Sequence, residues 1–134
     1  MNDATRPTHG VAAEQSFTLN GLAEVRAVVS EHAAGLGLSP DRTADFVLAV
    51  DEIACNSVQH GGGDGVLRLW PEQDRLVCEI RDRGVIDDQH LERDRPGSDA
   101  VSGRGLWLAQ QLCDELQITS TSSGTVVRAG IRLD

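Results

Sequence analysis

Lysine and tyrosine are absent from this sequence, and aromatic residues of any kind are few. Without lysine there can be no P-loop of the form G-x-x-x-x-G-K-[ST] and no Schiff-base lysine. All 12 basic residues are arginine, so any bound phosphate must be held by backbone N–H groups, arginine or a metal. Cysteine is scarce too: Cys55, Cys78 and Cys113 are odd in number and far apart, with no spacing that suggests zinc or a disulfide framework. Each lies in an apolar-periodic segment, which reads as a small buried hydrophobe with a free thiol.

Positive charge is also in short supply. Against 12 arginines stand 21 Asp and Glu, a net charge of −9, which excludes a phosphate-tracking surface for nucleic acid and suits a basic protein partner instead. No apolar run approaches the roughly 18 residues of a membrane span, and the start of the chain has no basic stretch followed by an apolar one. The expectation is a cytoplasmic protein with neither membrane nor direct nucleic-acid contact. Its 134 residues suffice for one well-buried core.

Residues 1–14 mix Pro7, Gly10 and small polar residues without periodicity and read as a disordered leader, leaving 15–134 as a single domain. Gln15 to Leu19 reads as a short strand. Asn20 is positioned to cap a helix carrying Leu22, Val25, Val29, Ala33 and Leu36, ended by Gly35 and Gly37. Ser39-Pro40-Asp41 supplies a cap, a first-turn proline and a first-turn acid for a second helix reaching about His60. On that helix Phe46, Val47, Val50, Ile53, Ala54 and Ser57 fall on one arc, so Glu52 and Asn56 share the non-core face.

Val66–Trp70 and Leu76–Asp82 read as a hairpin around Pro71-Glu72-Gln73-Asp74. Strand parity sends Leu76, Cys78, Ile80 and Asp82 to the core side and Val77, Glu79 and Arg81 to the other. Residues 83–102 are polar and loop-like, a length typical of lids or binding loops. Gly103-Arg104-Gly105 then opens a helix with Leu106, Ala109 and Leu112, and a second hairpin closes the chain around Ser122-Ser123-Gly124. The expected architecture is α+β: a two-layer sandwich of a mixed, mainly antiparallel sheet with helices on one face.

Chemistry converges where these elements meet. A helix opening Gly-x-Gly offers N–H groups and positive dipole to an anion. Asn56 is a neutral oxygen suited to magnesium whose other ligands are phosphate and water. Glu52, one turn earlier, is positioned to accept a hydroxyl proton. Asp82 and Thr125, both inward, can receive an exocyclic amine.

Taken in order, Glu52-x-x-x-Asn56 with His60-Gly61, Asp82-x-Gly84, Gly103-x-Gly105 and Gly124-Thr125 resemble the GHKL (Bergerat-fold) ATP-binding superfamily, and look most like its anti-sigma factor serine kinases. The resemblance covers about Phe17 to Leu133. It implies ATP and Mg2+ as ligands, Glu52 as catalytic base and Asn56 as the magnesium residue. It further implies Asp82 with Gly84 reading adenine, Thr125 beside it, and Gly103, Arg104 and Gly105 in a phosphate-wrapping lid. The implied partners are a sigma factor to be sequestered and an anti-anti-sigma protein to be phosphorylated, with a homodimer face in the first strand and helix. One position departs: kinase members often carry a basic residue two before the first lid glycine, and here it is Val101, with Arg104 or Arg95 available to replace it. On that departure rests the alternative, a non-catalytic nucleotide-binding module that sequesters a sigma factor or other regulator.

Overall fold

The computed structural model describes residues 11–84 and 105–133. In chain order these form β1 (Ala13–Thr18), a 3₁₀ turn (Leu19–Gly21), α1 (Leu22–Gly35), α2 (Pro40–His60), β2 (Asp64–Glu72), β3 (Arg75–Asp82), α3 (Gly105–Leu112), β4 (Glu115–Thr121) and β5 (Gly124–Arg132). The strands lie in the order β1-β2-β3-β5-β4. The two-layer α+β sandwich stands as expected, but every described pairing is antiparallel rather than mixed.

The second helix begins as its sequence dictates. Ser39 is extended at ψ 155° and its Oγ accepts the Arg42 N–H at 3.2 Å, with Pro40 in the first turn where no N–H is needed. At the far end the Gly61 N–H bonds Ser57 O at 2.7 Å, and Gly62 and Gly63 then take φ of 97° and 92°. A side chain there would be strained, so the helix stops.

Three boundaries differ from expectation. Asn20 does not cap α1: residues 19–21 form a 3₁₀ turn, and Gly21 precedes the helix without a side-chain cap. Leu36 lies beyond the helix end, 39% exposed, and Leu38 takes its place in the core. Strand β1 begins at Ala13, inside the segment read as leader, because the Ala12 N–H bonds Leu69 O and pairing with β2 carries the strand outward. The expected leader lies otherwise outside the described residues.

The core is one layer between the sheet and the helices. Phe17, Leu67, Leu69, Leu76, Cys78, Ile80, Val127, Ala129 and Ile131 project from the sheet. Facing them are Val25, Val29 and Ala33 of α1, Phe46, Ala49, Val50, Ile53 and Ala54 of α2, and Leu106 and Ala109 of α3. Deleting a large one of these, such as fully buried Phe46, costs about 3–5 kcal/mol in comparable cores. The three thiols are free; Cys78 is buried, and Cys55 and Cys113 partly so.

Helix α2 packs against both α1 and α3 and is pinned in rotation. Arg26 of α1 bonds Asp51 at 2.9 Å, and Arg42 reaches Asp114 at 2.9 Å and Arg132 O at 3.0 Å. The rotation of α2 decides where Glu52 and Asn56 point. Among the described residues no helix is long and apolar enough to cross a membrane.

Candidate active site

The site is built where the C-terminal half of α2 meets the ends of β3 and β5. Register alone pairs Asp82 with Thr125 across two strands, on the sheet face that carries the helices. The Thr125 hydroxyl is buried and donates to Gly84 O at 2.7 Å, with Ser120 Oγ 3.0 Å away. Gly84 in turn donates its N–H to Asp82 Oδ1 at 2.8 Å. Asp82, Gly84 and Thr125 therefore form one hydrogen-bonded floor.

Glycine is required where α2 crosses this floor. A Cβ on Gly61 would overlap Asp82 Cγ and Oδ2, and one on Gly84 would overlap His60 O and Gly61 Cα. The Gly84 contacts are with backbone that cannot yield, and the Gly61 contacts are with a short carboxylate held by the Gly84 N–H, so the two chain segments approach this closely because both side chains are missing. The Arg83 N–H then bonds Gly61 O at 3.2 Å, and its guanidinium reaches Gly62 O and Asp64. The end of the helix is thus clipped to the end of the strand.

Polar groups gather at this crossing without full satisfaction. Asn56 is only 4% exposed, and its Oδ1 is buried with no donor. Ser57 is 1% exposed, and its Oγ makes no hydrogen bond of normal geometry. A buried polar atom left this way costs on the order of 1–3 kcal/mol, so two adjacent ones need an explanation in what the site binds. Asn56 was expected on a solvated helix face. Burial there is the correction: Asp45 and Gln59 on the same face are exposed, but the face is covered at Asn56, which helix phase cannot reveal.

Charge follows the same pattern. Burial pushes the Asp82 carboxyl above its ordinary value; the Ser57 hydroxyl and Gly84 N–H draw it partly back, and Asp64 adds a further push upward. Glu52 is half-buried, and its carboxyl is raised first by burial and then by the charge of Asp51. A carboxylate that holds protons more tightly than usual is the better general base. Asp51 itself turns to Arg26, as its position about 100° around the helix predicts.

The magnesium reading fits these residues. Among the described residues no three His, Cys, Asp or Glu side chains gather to hold a metal by themselves. The orphaned Asn56 oxygen is the neutral donor that a cation ligated mainly by phosphate and water would take from a protein. Gly105 opens α3, while Gly103, Arg104, Arg95 and Val101 lie outside the described residues.

Ser57 and Gly61 gain weight in the structure that sequence reading did not give them. Ser57 sat on the core arc, and its only signal was a hydroxyl among apolar neighbours. Trp70, which is in no motif, stays out of the site: it is buried on the opposite face of the sheet, under Arg128 at 5.4 Å.

Comparison with known proteins identifies the family and the fold. Residues 16–131 match the family described as histidine kinase-like ATPase domain. The serine-protein kinase RsbW of Bacillus licheniformis is 31% identical over 116 residues, covering 76% of this chain and 72% of that protein. The serine-protein kinase RsbW of Bacillus subtilis (strain 168) is 29% identical with the same coverage. The RsbU and RsbW domains of Rv1364c from Mycobacterium tuberculosis superpose with a TM-score of 0.66 at 24% identity, over 91% of this chain and 33% of that longer one. The catalytic domain of histidine kinase ThkA gives a TM-score of 0.58 at 14% identity, over 90% and 96% of the two chains. At such identities the two structures speak for the fold alone. Sequence match and topology together make this chain a member of the histidine kinase-like ATPase domain family, related to the RsbW serine-protein kinases.

Proposed function

We propose that this protein is an ATP-dependent protein serine kinase that phosphorylates an anti-anti-sigma partner and otherwise sequesters a sigma factor. The observation that carries the reading is the buried, donorless Asn56 Oδ1, one helical turn from Glu52 on the helix whose end meets the Asp82–Gly84–Thr125 floor. Kinship with the RsbW serine-protein kinases supports the choice of serine as acceptor. A homodimer face belongs to the same proposal, supported by the edge position of β1 in the sheet.

In this reading Asp82 accepts the exocyclic amine of adenine while Gly84 and Thr125 hold the carboxylate and its loop in place. Asn56 would hold magnesium through its amide oxygen; the ion, when bound, neutralises charge on the phosphates. Glu52 takes the proton of the attacking serine hydroxyl as the oxygen–phosphorus bond forms and ADP departs. The raised proton affinity of Glu52 helps it receive that proton.

The test is transfer of labelled γ-phosphate, with magnesium, to a serine of candidate antagonist proteins, in wild type and in Glu52→Gln. The variant keeps size and helix propensity but cannot take a proton, so transfer should slow about 10²–10⁴-fold while ATP binding persists. In wild type the rate should fall as pH drops through the raised carboxylate value of Glu52. Undiminished transfer by Glu52→Gln removes the base assignment. Absence of transfer from wild type to every antagonist that it binds would instead leave a nucleotide-gated sequestering module.

A further inference from the structure

We propose that Ser57 is a positioning residue of the base-binding floor: its hydroxyl hydrogen is donated to the Asp82 carboxylate when an exocyclic amine occupies that carboxylate's other side. The inference rests on the nucleotide reading above and adds to it a residue that the family motifs do not supply.

Three observations meet at this serine. Its Oγ is buried within a 1% exposed residue and makes no hydrogen bond of normal geometry, so a donor is held out of water without a well-formed partner. It nevertheless stands near enough to Asp82 to stabilise the ionised carboxylate. Its backbone oxygen accepts the Gly61 N–H at 2.7 Å, and Gly61 is the residue on whose Cα the Asp82 carboxylate rests. Side chain and main chain of Ser57 therefore bear on the same contact.

The chemistry of the carboxylate explains the use. Asp82 Oδ1 already accepts the Gly84 N–H, and Oδ2 is pressed against Gly61. An amine approaching Asp82 is received best by an ionised carboxylate, because with Oδ1 taken by the Gly84 N–H a proton on Oδ2 would meet a donor with a donor. Burial works against ionisation, and the Ser57 hydroxyl and the Gly84 N–H, as they stand without ligand, offset it only in part. Ser57 is the side-chain donor at this carboxylate whose hydrogen bond is not yet of normal geometry. A small closing of the Asp82 side chain onto it when the amine binds would complete the set, and hydrogen bonds to a charged acceptor are the stronger kind.

The experiment separates this role from packing by using two ligands. Calorimetry would compare ATP with purine riboside triphosphate, which lacks the exocyclic amine, on wild type, Ser57→Ala and Ser57→Thr. Ser57→Ala should weaken ATP about three- to ten-fold and purine riboside triphosphate less than about two-fold, and Ser57→Thr, which keeps a hydroxyl, should recover most of the ATP affinity. Without ligand, Ser57→Ala should melt no lower than wild type, since no formed hydrogen bond is lost and alanine is the better helix former. Equal weakening of both ligands, no weakening of either, or a lower melting temperature overturns the proposal. If wild type binds the two ligands equally, the adenine role of Asp82 falls, and this inference with it; if wild type separates them and Ser57→Ala does so equally well, only the inference falls.

Discussion

Two carboxylates lie withdrawn from solvent on opposite faces of the same strand, and they are treated in opposite ways. Glu79, on the face away from the helices, is fully buried, and Arg81 and Arg128 meet its two oxygens at 2.8 and 2.7 Å. Register extends this into a cross-sheet row, Glu14–Arg68–Glu79–Arg128–Gln117, in which acid and base alternate over four strands before reaching Gln117. Asp82, three residues on and facing the helices, receives one backbone N–H and the pull of a Ser57 hydroxyl that makes no hydrogen bond of normal geometry. A satisfied buried charge specifies structure; an unsatisfied one marks where a ligand completes the set.

The sharpest way to break this comparison is to neutralise each acid by its amide. Glu79→Gln leaves two arginines facing a neutral group and should destabilise the fold by about 2–3 kcal/mol, less than for a fully buried pair because both arginines are about one-third exposed. Nucleotide affinity of the folded variant should not change. Chemical denaturation and calorimetry on the same preparation would read both, and a neutral effect on stability would mean the row is decoration.

Asp82→Asn should reverse the pattern. It replaces an acceptor by a donor toward the amine and should weaken ATP by about 1–3 kcal/mol. Its effect on the empty protein has the other sign. The folded state binds the Asp82 proton more tightly than the unfolded chain does, so above its ordinary carboxylate value the ionised group detracts from stability. Removing the charge should therefore raise the melting temperature of the empty protein at neutral pH. A fall in both affinity and melting temperature would assign Asp82 to structure, as Glu79 is.

A smaller effect, at Asp114, sharpens the contrast through pH. The Arg132 N–H first, and Arg42 after it, hold this carboxyl below its ordinary value, although partial burial opposes them. Its contribution is thus present above the unfolded value and is lost as pH falls through the lowered one. Asp114→Asn should cost about 0.5 kcal/mol near neutrality and flatten the acid limb of a melting-temperature profile at its lowest pH. An unchanged acid limb would show that the tie from α2 to β5 carries no stability.

Much of this was legible in the residues. Ser39-Pro40-Asp41 fixed where α2 starts, and the glycines after His60 fixed where it stops, because caps, proline and positive φ act within a few residues. Period-two alternation correctly separated Leu76, Cys78 and Ile80 from Val77, Glu79 and Arg81, and the hairpins fell where their turns were read. Parity also turned Asp82 inward beside Thr125. What sequence could not decide was burial on faces that local periodicity leaves polar. Asn56 and Glu79 both belong to such faces, yet Asn56 is 4% and Glu79 0% exposed. Likewise the outward reach of β1 to Ala13 depends on β2 lying beside it, and the isolation of Ser57 depends on Gly61 and Gly84 letting helix and strand touch. Periodicity is a property of one segment against one partner, whereas the withdrawal of a polar atom from water requires a second surface that only the assembled chain brings.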